Sequence, residues 1–265
     1  MVFLGKRTVW IWTVASALFL VLWFGGLVWA VADYYGASGK LLVQEPTEKV
    51  PAKDVDGLQV VAMGDSLTRG TGDAAGRGYV GYLIDSMNKR ADEDVKLVNL
   101  GINGQRSKQL AEQVKQAEVQ RQLSQADIVL ITIGGNDLFR GGQGLVEFDS
   151  GNPEKIQKDY LANAKTILTQ IRTANKDATV FFIGLYNPFI EFEEGKQMSA
   201  IVRSWNFATA ELAAQFDKVV FVPTFDLFEL NVNDYLYTDK FHPNTEGYKL
   251  IAERVSALVT WEGEK

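Results

Sequence analysis

The chain has 265 residues, a 46% hydrophobic fraction, six prolines and a net charge of −6, which suits one large or two small folded domains and argues against disorder. The acidic balance leaves no basic patch to displace counterions from phosphate, so nucleic acid is excluded as a partner. Cysteine is absent and His242 is the single histidine, which rules out disulfides, thiolate chemistry and multi-histidine metal sites but leaves the compartment open.

The first element follows Lys6 and Arg7. Thr8 to Ala32 runs for 25 residues without a charge, a helix of roughly 37 Å that would cross a hydrocarbon core of about 30 Å with some tilt. Trp10, Trp12, Trp29, Tyr34 and Tyr35 lie near its ends, where interfacial aromatics gather. Lys6 and Arg7 precede the stretch and Asp33 follows it, which places the N-terminus in the cytoplasm and the rest of the chain outside, as a single-pass protein of the cell membrane. The competing reading is a signal peptide cleaved after Ala30-Val31-Ala32 and a secreted product; the apolar run is longer than a signal peptide needs, which favours the anchor. The expected organisation is a stub and anchor over 1–35, a polar tether over 36–57 with Pro46 and Pro51, and a catalytic domain over 58–265.

From Leu58 onward short apolar runs alternate with helical patterns. Leu58 to Met63, Val95 to Asn99, Ala126 to Ile133, Ala178 to Leu185 and Val219 to Val222 read as buried strands. Tyr79 to Arg90, Ser107 to Leu123, Pro153 to Asn175 and Gln197 to Phe216 read as helices, and a last helix carries Pro243 in its first turn. This alternation predicts a three-layer, doubly wound (flavodoxin-like) α/β domain with a mainly parallel sheet of about five strands. Ligands of such a sheet bind beyond the carboxyl ends of its strands.

Four motifs fall at such ends. Gly64-Asp65-Ser66-Leu67 follows the first strand and places a serine hydroxyl where a helix begins. Asn99-Leu100-Gly101-Ile102-Asn103-Gly104 follows the second and Gly134-Gly135-Asn136-Asp137 the third. Asp239-Lys240-Phe241-His242-Pro243 precedes the last helix. Each alone reads equally as a turn or cap. Together they supply what acyl transfer requires. A serine needs a base to take its proton, and His242 is the only histidine. An acid must hold the imidazole tautomer, and Asp239 is the nearest candidate. The developing oxyanion needs fixed donors, which Ser66 N–H, Gly104 N–H and the Asn136 amide could provide.

Taken in order, the four motifs resemble the SGNH (GDSL-type) hydrolases, a family of esterases, lipases, thioesterases and carbohydrate deacetylases. The resemblance runs from about Leu58 to the C-terminal helix and is carried by Gly64-Asp65-Ser66-Leu67, the Asn-x-Gly-x-x-Gly run, Gly-Gly-Asn-Asp and Asp239-x-x-His242. It implies Ser66 as nucleophile, Gly104 and Asn136 as oxyanion donors, Asp239 and His242 as acid and base, and neither metal nor cofactor. The Gly-x-Ser-x-Gly elbow of α/β-hydrolases is absent. The glycines at 70, 72, 76 and 78 do not form a phosphate-binding fingerprint. More narrowly, the N-terminal stretch, Gly184-Leu185-Tyr186-Asn187-Pro188-Phe189 and the His242-Pro243-Asn244 ending resemble membrane-anchored lipase/acylhydrolases of Gram-positive bacteria. Arg106 departs from the small or acidic residue many relatives have there, which bears on substrate preference.

The expected activity is carboxylic ester hydrolysis on a lipid-like or cell-envelope ester. O-deacetylation of cell-wall carbohydrate is the alternative enzyme, and a catalytically idle, membrane-tethered binding module the alternative from another class. Tyr186, Phe189 and Phe192 are candidate acyl-site residues or, equally, a cover for the sheet edge. Leu138 to Asn152 is a candidate lid or, equally, a long surface loop. Glu191, Glu193 and Glu194 read as a solvated face.

Overall fold

The computed structural model describes residues 6–37, 57–91, 94–140 and 152–261. Most of the tether and residues 141–151 of the candidate lid lie outside the described residues. The chain divides into two compact units, Met1–Lys49 and Val50–Lys265.

The first unit contains one helix among the described residues, α1 (Lys6–Ala37). Among the described residues no helix is long and apolar enough to cross a membrane, so the expected anchor is not confirmed by the structure.

The second unit has the expected alternation. Its elements are β1 (Leu58–Gly64), α2 (Ser66–Arg69), α3 (Gly78–Arg90), β2 (Val95–Asn99), α4 (Ser107–Gln113), α5 (Ala117–Gln125), β3 (Ile128–Thr132), α6 (Gly135–Phe139) and α7 (Pro153–Ala174). They continue with β4 (Thr179–Ile183), α8 (Gly195–Ala213), β5 (Val219–Val222), α9 (Phe225–Glu229), α10 (Val232–Tyr235) and α11 (Thr245–Ser256). The five strands pair in parallel in the order β2-β1-β3-β4-β5, the flavodoxin-like order.

Alternate strand residues face opposite layers. Val61, Met63, Val129, Ile131, Val180 and Phe182 pack on one face among residues of α4, α5, α7 and α8. Val60, Ala62, Ile128, Leu130, Phe181 and Ile183 pack on the other among residues of α3, α9 and α11. Burying one such Val, Leu, Ile or Phe side chain contributes about 1.5–3 kcal/mol, which is why continuously apolar strands sit at the centre.

Several boundaries differ from expectation. The helix expected over Ser107 to Leu123 breaks between α4 and α5, where Lys115 N–H turns back to the Glu112 carbonyl and Gln116 N–H to that of Gln113. No proline or glycine marks that break, so its apolar spacing reads as continuous. Pro243 does not occupy the first turn of the last helix. Asn244 is the cap, its side chain accepting Gly247 N–H at 3.0 Å, so the helix begins at Thr245 and Pro243 stands one residue before the cap. The third and fourth strands are shorter than their apolar runs, and α9 and α10 were not expected.

Candidate active site

β1 ends at Gly64, whose φ is +125°. A Cβ there would stand 1.8 Å from the Thr132 carbonyl oxygen, so only glycine lets the chain turn against β3. Asp65 follows as the cap of α2, its carboxylate accepting Leu67 N–H at 3.0 Å while its own N–H donates to the Thr132 carbonyl at 3.0 Å. Ser66 is thereby the first residue of α2 and is largely buried.

The second motif is laid on the end of the same strand. Leu100 N–H donates to the Ala62 carbonyl at 2.7 Å and Ile102 N–H to that of Gly64 at 2.8 Å. Gly104 then takes φ +73° with open space beside it, so its glycine serves backbone geometry. The third motif forms α6. Asn136 is buried and donates one amide hydrogen to the Gln105 carbonyl at 3.0 Å, leaving its other amide hydrogen to point elsewhere. Asp137 ties this helix to α4 by accepting from Ser107 N–H at 2.9 Å and Ser107 Oγ at 2.6 Å. The oxyanion candidates Gly104 and Asn136 are therefore held one residue apart through Gln105.

The fourth motif closes on the first. His242 Nε2 lies 2.8 Å from Ser66 Oγ and His242 Nδ1 2.6 Å from Asp239 Oδ2. Asp239 Oδ1 accepts the N–H groups of Phe241 and His242, each at 3.0 Å. Partial burial pushes the Asp239 carboxyl up, but the bonds from the His242 side chain and the two backbone N–H groups outweigh it and hold it below its ordinary value. Ser66, His242 and Asp239 form one continuous hydrogen-bonded relay with a solvent-facing end.

The three aromatic candidates take different positions. Tyr186 is buried, donates its hydroxyl to the Phe241 carbonyl at 2.5 Å and stacks on Phe228. Burial raises its phenol well above the ordinary value. It supports the loop that carries His242. Phe189 is buried between Phe139 and Phe241, their ring centroids 5.5 and 6.1 Å away. Phe192 is half exposed at the edge of Phe189. The cavity that Tyr186 lines with Asp65, Leu67, Ile133, Leu185 and Phe241 is about 20 Å³, room for one water and not for an acyl chain. A larger, open cleft of about 430 Å³ lies beside Gly104, lined by Ile102, Asn103, Gln105, Lys108 and Gln113 among others. Arg106 is exposed, and its N–H is held by Gln109 Oε1. Glu191, Glu193 and Glu194 are exposed as expected. Among the described residues no cluster of three His, Asp or Glu could hold a metal ion.

Sequence reasoning missed the support that Thr68, Thr132 and Gln105 give the site. A lone Thr132 inside Ile131-Thr132-Ile133 was the available signal.

Residues 62–250 match the model of the GDSL-like lipase/acylhydrolase family. Over 218 residues the chain is 34% identical to the uncharacterized protein YpmR of Bacillus subtilis, covering 80% of this chain and 85% of that one. It is 27% identical over 210 residues to the spore germination lipase LipC of Bacillus licheniformis, covering 76% of this chain and 95% of that one. The crystal structure of the lipase Lip_vut3 from a goat rumen metagenome superposes with a TM-score of 0.70 at 24% identity, covering 78% of this chain and all of that one. At that identity the likeness is one of fold.

Proposed function

Since the chain belongs to the GDSL-like lipase/acylhydrolase family, we propose that it is a serine hydrolase of carboxylic esters with Ser66, His242 and Asp239 as its triad. The observation that carries this is the unbroken relay from Ser66 Oγ through His242 to Asp239, with contacts of 2.8 and 2.6 Å. Ser66 Oγ attacks the ester carbonyl as His242 Nε2 takes its proton. Asp239 keeps the ring hydrogen on Nδ1, so that Nε2 is free to act as base, and stabilises the imidazolium that forms. Ser66 N–H, Gly104 N–H and the second amide hydrogen of Asn136 receive the oxyanion. His242 then returns the proton to the departing alkoxide. Water repeats the cycle on the acyl-enzyme, releasing the acid.

Two substrates are in view. The relative named as a lipase supports a lipid-like ester. The amide-lined cleft beside Gly104 supports the second reading, O-deacetylation of a cell-envelope carbohydrate, because hydroxyl-rich ligands need such donors and acceptors. We also propose that residues 8–32 anchor the protein in the cell membrane with the catalytic domain outside, on the strength of 25 consecutive uncharged residues behind Lys6 and Arg7. Extraction of membranes with alkaline carbonate, with the mass of the mature chain, separates an anchor from a cleaved signal.

The deciding experiment treats the full chain in detergent with a fluorophosphonate, beside Ser66→Ala, and maps any adduct by peptide mass. A single adduct on Ser66 is expected. Folded protein without one would instead favour a tethered binding module. Turnover of p-nitrophenyl esters from acetyl to palmitoyl, against acetylated sugars, then separates the two substrate classes.

A further inference from the structure

Asp65, the neighbour of Ser66, is buried and terminates a chain of hydrogen bonds. Its Oδ1 lies 2.9 Å from Thr132 Oγ1. Thr132 Oγ1 lies 2.7 Å from Thr68 Oγ1, which lies 3.0 Å from the Met63 carbonyl oxygen. All three separations are hydrogen-bond lengths. The Met63 carbonyl only accepts, and so does an ionised carboxylate, while each threonine hydroxyl owns one hydrogen. Two hydrogens cannot fill three contacts between two acceptors. With Asp65 ionised, one contact sets oxygen against oxygen with nothing between. A proton on Asp65 completes the series: Asp65 donates to Thr132, Thr132 to Thr68, and Thr68 to Met63. The Tyr79 hydroxyl, 3.3 Å from Thr68 Oγ1, brings its own hydrogen to its own contact and does not fill the gap.

The surroundings agree. The cavity against Asp65 is otherwise lined by Leu67, Ile133, Leu185, Phe241 and other largely apolar groups. The charged group facing it from α6 is Asp137, a second carboxylate, and Tyr79, Tyr160, Tyr186 and Tyr248 lie close enough to feel its charge. His242, itself bonded to Asp239, meets the neighbouring Ser66. Burial first, and Asp137 after it, push the Asp65 carboxyl up to about 7 against the pull of the Leu67 N–H and Thr132.

We propose that Asp65 is a positioning residue that works protonated: its acid hydrogen closes the chain that ties the Ser66 turn to the end of β3. Thr132 leads directly into Gly134 and α6, the element that carries Asn136, so this chain holds nucleophile and oxyanion donor in register. A neutral Asp65 also keeps a second negative charge away from the oxyanion. The positioning role rests on the reading of Ser66 as nucleophile; the proton on Asp65 does not.

Infrared difference spectra of the full chain, titrated from mildly acid to mildly alkaline buffer, test it beside kcat on an uncharged ester. A protonated-carboxyl band, absent in Asp65→Asn, is expected to fade with a midpoint near 7, and kcat to fall about tenfold per pH unit beyond that midpoint. Asp65→Asn must keep its carbonyl oxygen at the position of Oδ1, which accepts the Leu67 N–H and faces Thr132. It therefore gives Thr132 no hydrogen at any pH and is expected to show a low, flat kcat without that falling limb. Thr68→Val frees the Thr132 hydrogen for the carboxylate, so both midpoints are expected to move to lower pH. Absence of the band in mildly acid buffer, or an unmoved midpoint in Thr68→Val, overturns the proposal even if Asp65→Asn fails to fold. A band with its Thr68→Val shift in a protein that hydrolyses nothing would overturn the hydrolase reading and the positioning role with it, and leave the proton on Asp65 standing.

Discussion

Asp239→Asn isolates what the proposed acid of the triad does. Asp239 Oδ1 accepts two backbone N–H groups, from Phe241 and His242, while Oδ2 accepts from His242 Nδ1. Two backbone donors require an acceptor, so the asparagine must place its carbonyl oxygen there and turn its amide NH₂ toward Nδ1. Nδ1 then has to accept, the ring hydrogen moves to Nε2, and Nε2 donates to Ser66 Oγ instead of taking its proton. In a fully buried triad this wrong tautomer costs about 10⁴ in kcat. The Asp239 side chain is 38% exposed, so water competes for Nδ1 and the expected loss is about 10³, or roughly 4 kcal/mol of barrier. The assay is steady-state hydrolysis of a p-nitrophenyl ester, with KM and Tm expected to hold because both backbone bonds survive. A variant retaining kcat within about tenfold, at unchanged Tm, would refute the tautomer argument.

Ser66→Ala and His242→Ala should each lower kcat by about 10⁶, and the double variant little further, because the two act as a unit; additive losses would separate them. Asn136→Ala should cost about 10²–10³ in kcat as one lost oxyanion donor. It should also lower the urea midpoint, since the buried Gln105 carbonyl loses its partner at about 1–3 kcal/mol. Asp65 titrates near 7 in the fold against an ordinary 3.8, so the folded state binds the proton more tightly and stability falls as pH rises through that window. The full fall is roughly 4 kcal/mol. Urea unfolding across that range should show this slope in the wild type and not in Asp65→Asn; equal slopes would contradict it.

The architecture and the relay were legible because they rest on local rules. Short apolar runs rich in β-branched residues, such as Ile128–Ile131, read as strands buried on both faces, and the right-handed rule for parallel crossovers leaves few ways to wind them. Such a sheet puts its functional loops at one end, and the single histidine left no competitor for the base. The local reading failed where a competing local bond wins, as at the α4–α5 break and at Asn244, or where aromatics are shared between core and surface. Tyr186, Phe189 and Phe192 look alike in sequence, yet one holds the His242 loop, one is core and one is exposed.

By itself, then, the sequence pointed to the family, to the strand ends that carry the four motifs and to the residues proposed as the triad. These follow from residue type and spacing along the chain. Only the tertiary structure decided that the Asn136 amide is braced by Gln105 and that Asp65 sits at the end of a chain one hydrogen short. Both depend on groups dozens of residues apart in sequence, Gln105 with Asn136 and Thr132 with Asp65. Hydrogen bonds and charge are set by distance in space and by the exclusion of water, which residue order does not encode.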